Sequence, residues 1–472
     1  MSLSGFQKIS DIASPSSLNP ADLQQLAVDI VGRAMRAGAT DAEVTVREGD
    51  EFAVSVRMGE VETLKESGSR GVGLRVLVAA DPGFRVASTS SSDLSEEGIE
   101  HLVRGAIALA KVTSIDPFAG LAERSEFGKL DGDLRLYHED VYSLPTAERI
   151  EWARRAEAAA MAVDTRLVNS DGASFDAATG RRIFANSRGF TGEYRSSYCS
   201  IAASPIAQST NGEMQRDYWW SQARAFRDLD DPESVGREAA RRTLRMLDAR
   251  RVPTQQAPVI FAPEVARGIV GAVFDAATGD AIYRGASIFT GKLGEPVAAE
   301  SVTVVDDGTI PGGFGTSPFD AEGLPSRRTV IVERGVLRNY VLNTYFGRKL
   351  GMKSTGNAGR GLAGNPYVDS GNLFLEAGAL PPEELIRGVE RGLYVTRLMG
   401  QGVNLVTGDY SRGAAGLWIE NGELTYPVQE ITIAGNLKEM LRNITAIGSD
   451  LVFRGATASP TLRIDGMTIA GE

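Results

Sequence analysis

His101, His138 and Cys199 are the only imidazoles and the only thiol in 472 residues. A Ser-His-Asp apparatus needs one of those two histidines, and no Gly-x-Ser-x-Gly elbow presents a nucleophile, so the sequence does not describe a serine hydrolase. His101 lies off the apolar stripe of its predicted helix, and His138 is flanked by acids in Leu136-Tyr137-His138-Glu139-Asp140. Both are expected to be structural or solvated. Cys199, in Tyr194-Arg195-Ser196-Ser197-Tyr198-Cys199-Ser200, has no neighbouring histidine to take its proton and is expected to be a small packed side chain. A lone cysteine excludes an internal disulfide and any multi-cysteine metal site, and it fits a reducing compartment.

Other patterns suggest chemistry and then lose it. Asp306, Asp307, Asp320 and Glu322 lie among glycines, where loop carboxylates can hold a hard cation, but their spacing matches no calcium loop and solvated turn acids are expected. Gly359-Arg360-Gly361-Leu362-Ala363-Gly364 matches a dinucleotide-binding glycine pattern, yet Asn365-Pro366 follows it where a helix should open. Gly285 to Lys292 resembles a phosphate loop with its glycines one residue too far apart, and Leu293 stands where a hydroxyl should meet magnesium. Arg237, Arg241 and Arg245 recur along a helix near Trp219-Trp220, but Glu233 and Glu238 interleave with them, so a solvated, ion-paired face is expected rather than a nucleic-acid surface.

The elements that would position these residues can be read from periodicity. Asn19 as N-cap, Pro20 at the first helical position and Gly38 as stop frame a helix with Leu23, Leu26, Ala27, Ile30, Val31 and Ala34 on one stripe. Period two follows at Phe52, Val54, Val56 and Met58, then β-rich segments to Ala87 predict an antiparallel meander. Asp93 with Glu96 predicts a capping box before a second amphipathic helix. Beyond Pro117 an Ala-rich helix over 145–163 precedes short strands punctuated by Asp171-Gly172, Thr179-Gly180, Ser187-Arg188-Gly189 and Asn211-Gly212. A charged helix over 233–251 leads into a Gly-rich remainder, with helices near 263–277 and 382–393 among many short apolar runs. The class is α+β, with N-terminal α/β lobes containing antiparallel sheets over 1–116 and 117–228 and a β-rich C-terminal domain over 229–472.

Composition narrows the partners. An apolar fraction of 42% and a charged fraction of 24% are those of a globular chain, and 50 Lys+Arg against 61 Asp+Glu leave a net charge of −11, which repels phosphate backbones and anionic membranes. No run approaches the roughly 18 apolar residues of a membrane span, and the Ser-rich first 19 residues show no secretory pattern, so a soluble, cytoplasmic protein is expected.

The C-terminal third is more specific. Gly400-Gln401-Gly402-Val403-Asn404, Thr407-Gly408-Asp409-Tyr410-Ser411-Arg412-Gly413, Trp418-Ile419-Glu420-Asn421-Gly422, Tyr426-Pro427-Val428, Thr432-Ile433-Ala434-Gly435-Asn436-Leu437 and Pro460-Thr461-Leu462-Arg463-Ile464 occur in order. The succession resembles the TldD/PmbA family, once called modulators of DNA gyrase. Phe319-Asp320-Ala321-Glu322-Gly323 and Ser354-Thr355-Gly356-Asn357-Ala358 agree with it.

The resemblance implies an ATP-independent metallopeptidase built from TldD-type and PmbA/TldE-type subunits, whose active member carries His-Glu-x-x-x-His on a helix and a later cysteine as metal ligands. The matching segment here is Pro263-Glu264-Val265-Ala266-Arg267-Gly268. Pro263 and Gly268 replace both histidines, Glu264 is a vestige of the motif acid, and Ser449 to Arg454 contain no cysteine. The expectation is a PmbA/TldE-type, non-catalytic subunit that binds no cofactor or metal, with zinc in a TldD-type partner, a peptide or unfolded protein as substrate, and an exposed C-terminal strand edge to capture it. Pairing as heterodimer or homodimer is left open. The alternatives are an interaction protein that modulates gyrase or another protein target, and an independent hydrolase using loop carboxylates with a different metal.

Overall fold

A computed structural model describes residues 20–471. Helix α1 (Pro20–Arg36) buries Leu23, Ala27, Ile30 and Ala34, the stripe that helical spacing predicts. Asn19, its expected cap, lies outside the described residues. Strands β1 (Asp41–Arg57), β2 (Glu60–Ala80) and β3 (Gly83–Ser91) form the predicted antiparallel meander. Phe52, Val54 and Val56 are buried together, whereas Met58 turns at φ +50° between β1 and β2 and is exposed, because the strand ends before the alternation does. Helix α2 (Glu96–Ala110) is capped by Ser95, whose hydroxyl accepts from Gly98 N–H. Asp93 accepts from Ser95 N–H instead, so the predicted capping box falls two residues early.

The short strand β4 (Ile115–Asp116) adds to β3, and α3 (Thr146–Met161) follows. Beyond it the structure departs from the expected short strands. Strand β5 (Leu167–Asn186) runs straight through both Asp171-Gly172 and Thr179-Gly180. Gly172 sits at a bulge with φ +105°, where the register with β6 slips. The true turns are Ser187-Arg188-Gly189, before β6 (Thr191–Gln208), and Asn211-Gly212, before β7 (Met214–Arg216). Strand β8 (Trp219–Ala223) also pairs with β6.

All of these strands belong to one sheet ordered β4-β3-β2-β1-β5-β6-β7, because β1 pairs with β5 over most of its length. Helices α1 and α2 share a core with one half of it; α3 and α4 (Pro232–Leu244) share a core with the other. The charged helix is shorter than expected and ends at Leu244.

In the C-terminal part, β9 (Gln255–Phe261) pairs with Arg391–Met399 and Leu462–Ala470. Pairings through Asp409–Glu420 and Glu423–Asn436 return to Leu462–Ala470, so five strands close on themselves, with Ile444–Ile447 outside the ring. A second, five-stranded sheet ends on Thr457–Ala458. Helix α5 (Pro263–Ala277) is where the sequence placed it, and its buried face shares one core with both sheets. The helix expected over 382–393 stops at Arg387, since Arg391 already begins a strand.

The Gly-rich segment 359–364 docks the C-terminal part onto β1 and β2. Glu43 lies between Arg75 at 2.7 Å and the fully buried Arg360 at 3.0 Å. A Cβ on Gly73 would lie 1.6 Å from Leu362 O, so a backbone approach that only glycine permits holds this joint.

Candidate functional site

Strand β9 delivers the chain to α5, where Pro263 takes the first helical position and Glu264 the first turn. Ala262 N–H donates to Val395 O, fixing the helix entry against the strand Arg391–Met399. Glu264 Oε1 stands 3.5 Å from Arg242 Nη1, and Arg242 Nε stands 3.5 Å from Asp217 Oδ2. The Arg242 guanidinium also lies 4.7 Å from the centre of the Trp219 ring. Arg242 is 6% exposed, so this cation bridges two acids inside the protein, and the acid of the motif helix joins α5 to α4.

One turn along α5, Arg412 Nη1 lies 3.7 Å from the point a Cβ on Gly268 would occupy. Arg267 lies 5.7 Å from the centre of the Trp220 ring. Two adjoining hollows of about 210 and 270 Å³ share Trp220, Glu264 and Arg267. The first is also lined by Pro263, Asp450 and the edge strand Thr457–Ala458; the second by Asp217, Gly268, Arg397 and Arg412. A larger cavity of about 920 Å³ lies past the other end of α5, around Lys349 and Asp280.

A zinc ion needs several lone pairs free to converge on one point. Pro263 and Gly268 carry no donor, and Asp450, in the segment after Gly448, is already bonded to Thr461 N–H at 2.9 Å and Thr461 Oγ1 at 2.7 Å. Glu264 Oε2 is buried without a hydrogen-bond partner among the described residues, but one carboxylate oxygen beside guanidinium groups is not a zinc site. Among the described residues no three His, Cys, Asp or Glu side chains are grouped so as to hold a metal ion. The residues of this helix do not fit the ion that the motif holds in its active form.

The remaining sequence candidates lie elsewhere. His101 is exposed on α2, with Nδ1 3.0 Å from Glu97 O, and His138 Nδ1 is 3.2 Å from Arg227 Nη2. Cys199 is wholly buried, and burial pushes its thiol up to about 12. The glycine-rich acids are not the solvated turn groups expected. Asp320 accepts from the N–H groups of Glu322, Leu324 and Ala358; Asp306 accepts from Asn357 Nδ2 and Gly371 N–H; Glu322 accepts from Thr344 N–H. Buried in this way, they organise the surrounding loops, and desolvation raises all three, Asp306 to about 7. The arginine helix is likewise only half solvated: Arg241 pairs outward with Glu238, while Arg242 points into the cleft. Asp217, Trp220, Arg397 and Arg412 were not legible as site residues, because three separate segments bring them together.

Models of the PmbA/TldA metallopeptidase match domain 1 over 42–110, the central domain over 139–247 and the C-terminal domain over 254–471. The metalloprotease PmbA of Escherichia coli O157:H7 is 40% identical, with 93% of this chain and 94% of that one covered. The chain belongs to the PmbA/TldD metallopeptidase family. A PmbA homolog of Haemophilus influenzae is 37% identical, with 96% of each chain covered. Among solved structures, a Bacteroides thetaiotaomicron protein named as a modulator of DNA gyrase superposes with TM-score 0.88 at 26% identity, covering 96% of this chain and 99% of that one. TldE of Thermococcus kodakarensis shares the fold, with TM-score 0.83 at 20% identity and 94% and 100% covered. No described helix is long and apolar enough to cross a membrane.

Proposed function

We propose that this chain is the PmbA/TldE-type, catalytically silent subunit of a cytoplasmic two-component metallopeptidase that acts on peptides or unfolded proteins. Its TldD-type partner supplies zinc and the attacking water. The observation that carries this reading is the first two turns of α5, where the motif acid is paired with Arg242 and a guanidinium stands over the second ligand position.

Substrate holding is the work left to it. The five-stranded sheet ends at Thr457–Ala458, on the wall of the cleft. Leu373 N–H donates to Ala456 O, so in a parallel ladder the backbone of Thr457 faces the open side, where an extended peptide can pair with it irrespective of sequence. Mixing the purified chain with a TldD-type subunit tests the proposal: peptide hydrolysis appears only in the mixture, and Thr457→Pro in this chain lowers it. Equal hydrolysis by the lone chain would overturn the assignment.

A second reading is favoured by the gyrase name of the Bacteroides structure. The net charge of −11 opposes direct contact with DNA and leaves a protein target. Recovery of gyrase with the tagged chain, and of no TldD-type subunit, would select it.

A further inference from the structure

We propose that the arginine-lined part of the cleft binds the free C-terminal carboxylate of the held peptide. Cations outnumber acids in that hollow, with Arg242, Arg267, Arg397 and Arg412 beside Asp217 and Glu264. Glu264 and Asp217 are both engaged by Arg242. Arg267, Arg397 and Arg412 line the same hollow, and none of them makes an ion pair among the described residues. Arg397 Nε is buried without an acceptor, and Arg412 Nε is buried beside the Tyr410 hydroxyl, while Arg397 Nη1 donates to Arg216 O at 2.9 Å, which fixes its plane. A buried guanidinium N–H without an acceptor, next to uncompensated positive charge, selects a planar anion that takes two bonds at once.

The rest of the wall favours a peptide end over a free ion. Trp220 offers an aromatic shelf for a terminal side chain, and the edge at Thr457 runs along the adjoining hollow. About 270 Å³ takes the last residue or two of a chain rather than its middle. The inference deepens the reading of a peptide-holding subunit. It is tested by binding to this chain alone, so its failure leaves partner-dependent hydrolysis to be measured separately.

The test is fluorescence polarisation with a short uncharged peptide labelled at its N-terminus, prepared as free acid, as C-terminal amide, and as amide with one internal glutamate. Charge-assisted hydrogen bonds predict that the free acid binds about tenfold tighter than the amide. Arg412→Gln removes that difference and Arg412→Lys keeps part of it, at unchanged melting temperature; Arg397→Gln serves if Arg412→Gln does not fold. Equal binding of acid and amide overturns the proposal, as does an undiminished difference in both glutamine variants. An internal-glutamate amide that matches the free acid overturns the terminal assignment. So does stabilisation by inorganic phosphate with no discrimination among the peptides.

Discussion

Arg412 Nη1 lies 3.7 Å from the position of a Cβ on Gly268, so a histidine placed at residue 268 would meet a positive charge before it met a metal ion. A divalent cation near a guanidinium pays Coulomb repulsion, and a zinc site also needs a third protein ligand that this cleft does not supply. The double variant Pro263→His, Gly268→His is therefore expected to retain no stoichiometric zinc after gel filtration. Elemental analysis checks this; about one zinc per chain would show that the loss is only of the two imidazoles.

Arg242 holds Asp217 and Glu264 together inside the protein. Arg242→Ala leaves two buried acids uncompensated and should lower stability by about 3 kcal/mol, whereas Glu264→Gln, which keeps a polar partner, should cost about 1 kcal/mol. Chemical unfolding of the variants compares the two losses. Equal, small losses would mean that the bridge is ornamental and that the motif acid is free for another use.

Stability should fall as the solution passes from acid to neutral. Burial raises Asp306, Asp320 and Glu322 above their unfolded values, so between about pH 4 and pH 7 the folded chain holds protons that the unfolded chain has released. That contribution is complete at low pH and is lost as pH rises through the folded values, Asp306 at about 7. Melting temperatures at pH 5.5 and pH 8 should show the decline, and Asp306→Asn should flatten it. A rise in stability across that interval would contradict the burial of these acids.

Two glycines should answer an added methyl group in opposite ways. A Cβ on Gly73 would overlap Leu362 O, so Gly73→Ala should loosen the joint between β2 and the 359–364 segment and lower the melting temperature. Gly105, exposed within α2, has nothing within 4 Å of its Cβ position, and Gly105→Ala should stabilise by about 0.5–1 kcal/mol. Thermal melts of the two single variants decide it.

Local signals account for what the sequence made legible. Helices α1, α2 and α5 follow from apolar residues at helical spacing, and Pro263 marks the start of α5 in both sequence and structure. Gly172 misled because a glycine inside a long strand serves a bulge as readily as a turn, and Gly180 because it sits in an ordinary ladder position opposite Gly49, whose own Cβ would lie 2.5 Å from Thr179 O. Pairing of β1 with β5 spans a sequence distance that periodicity cannot see. Within the site, the resemblance singled out Pro263, Glu264 and Gly268. It could not show that Arg242, Asp217 and Arg412 converge on them, since each arrives on a different element.

Metal content of the lone chain bears most directly on the central claim. Purified from cells grown with zinc and passed through a chelating column, this chain should carry far less than one zinc ion per molecule and should not cleave an unfolded peptide. One tightly held zinc per chain, lost together with peptide cleavage on Glu264→Gln, would contradict the account.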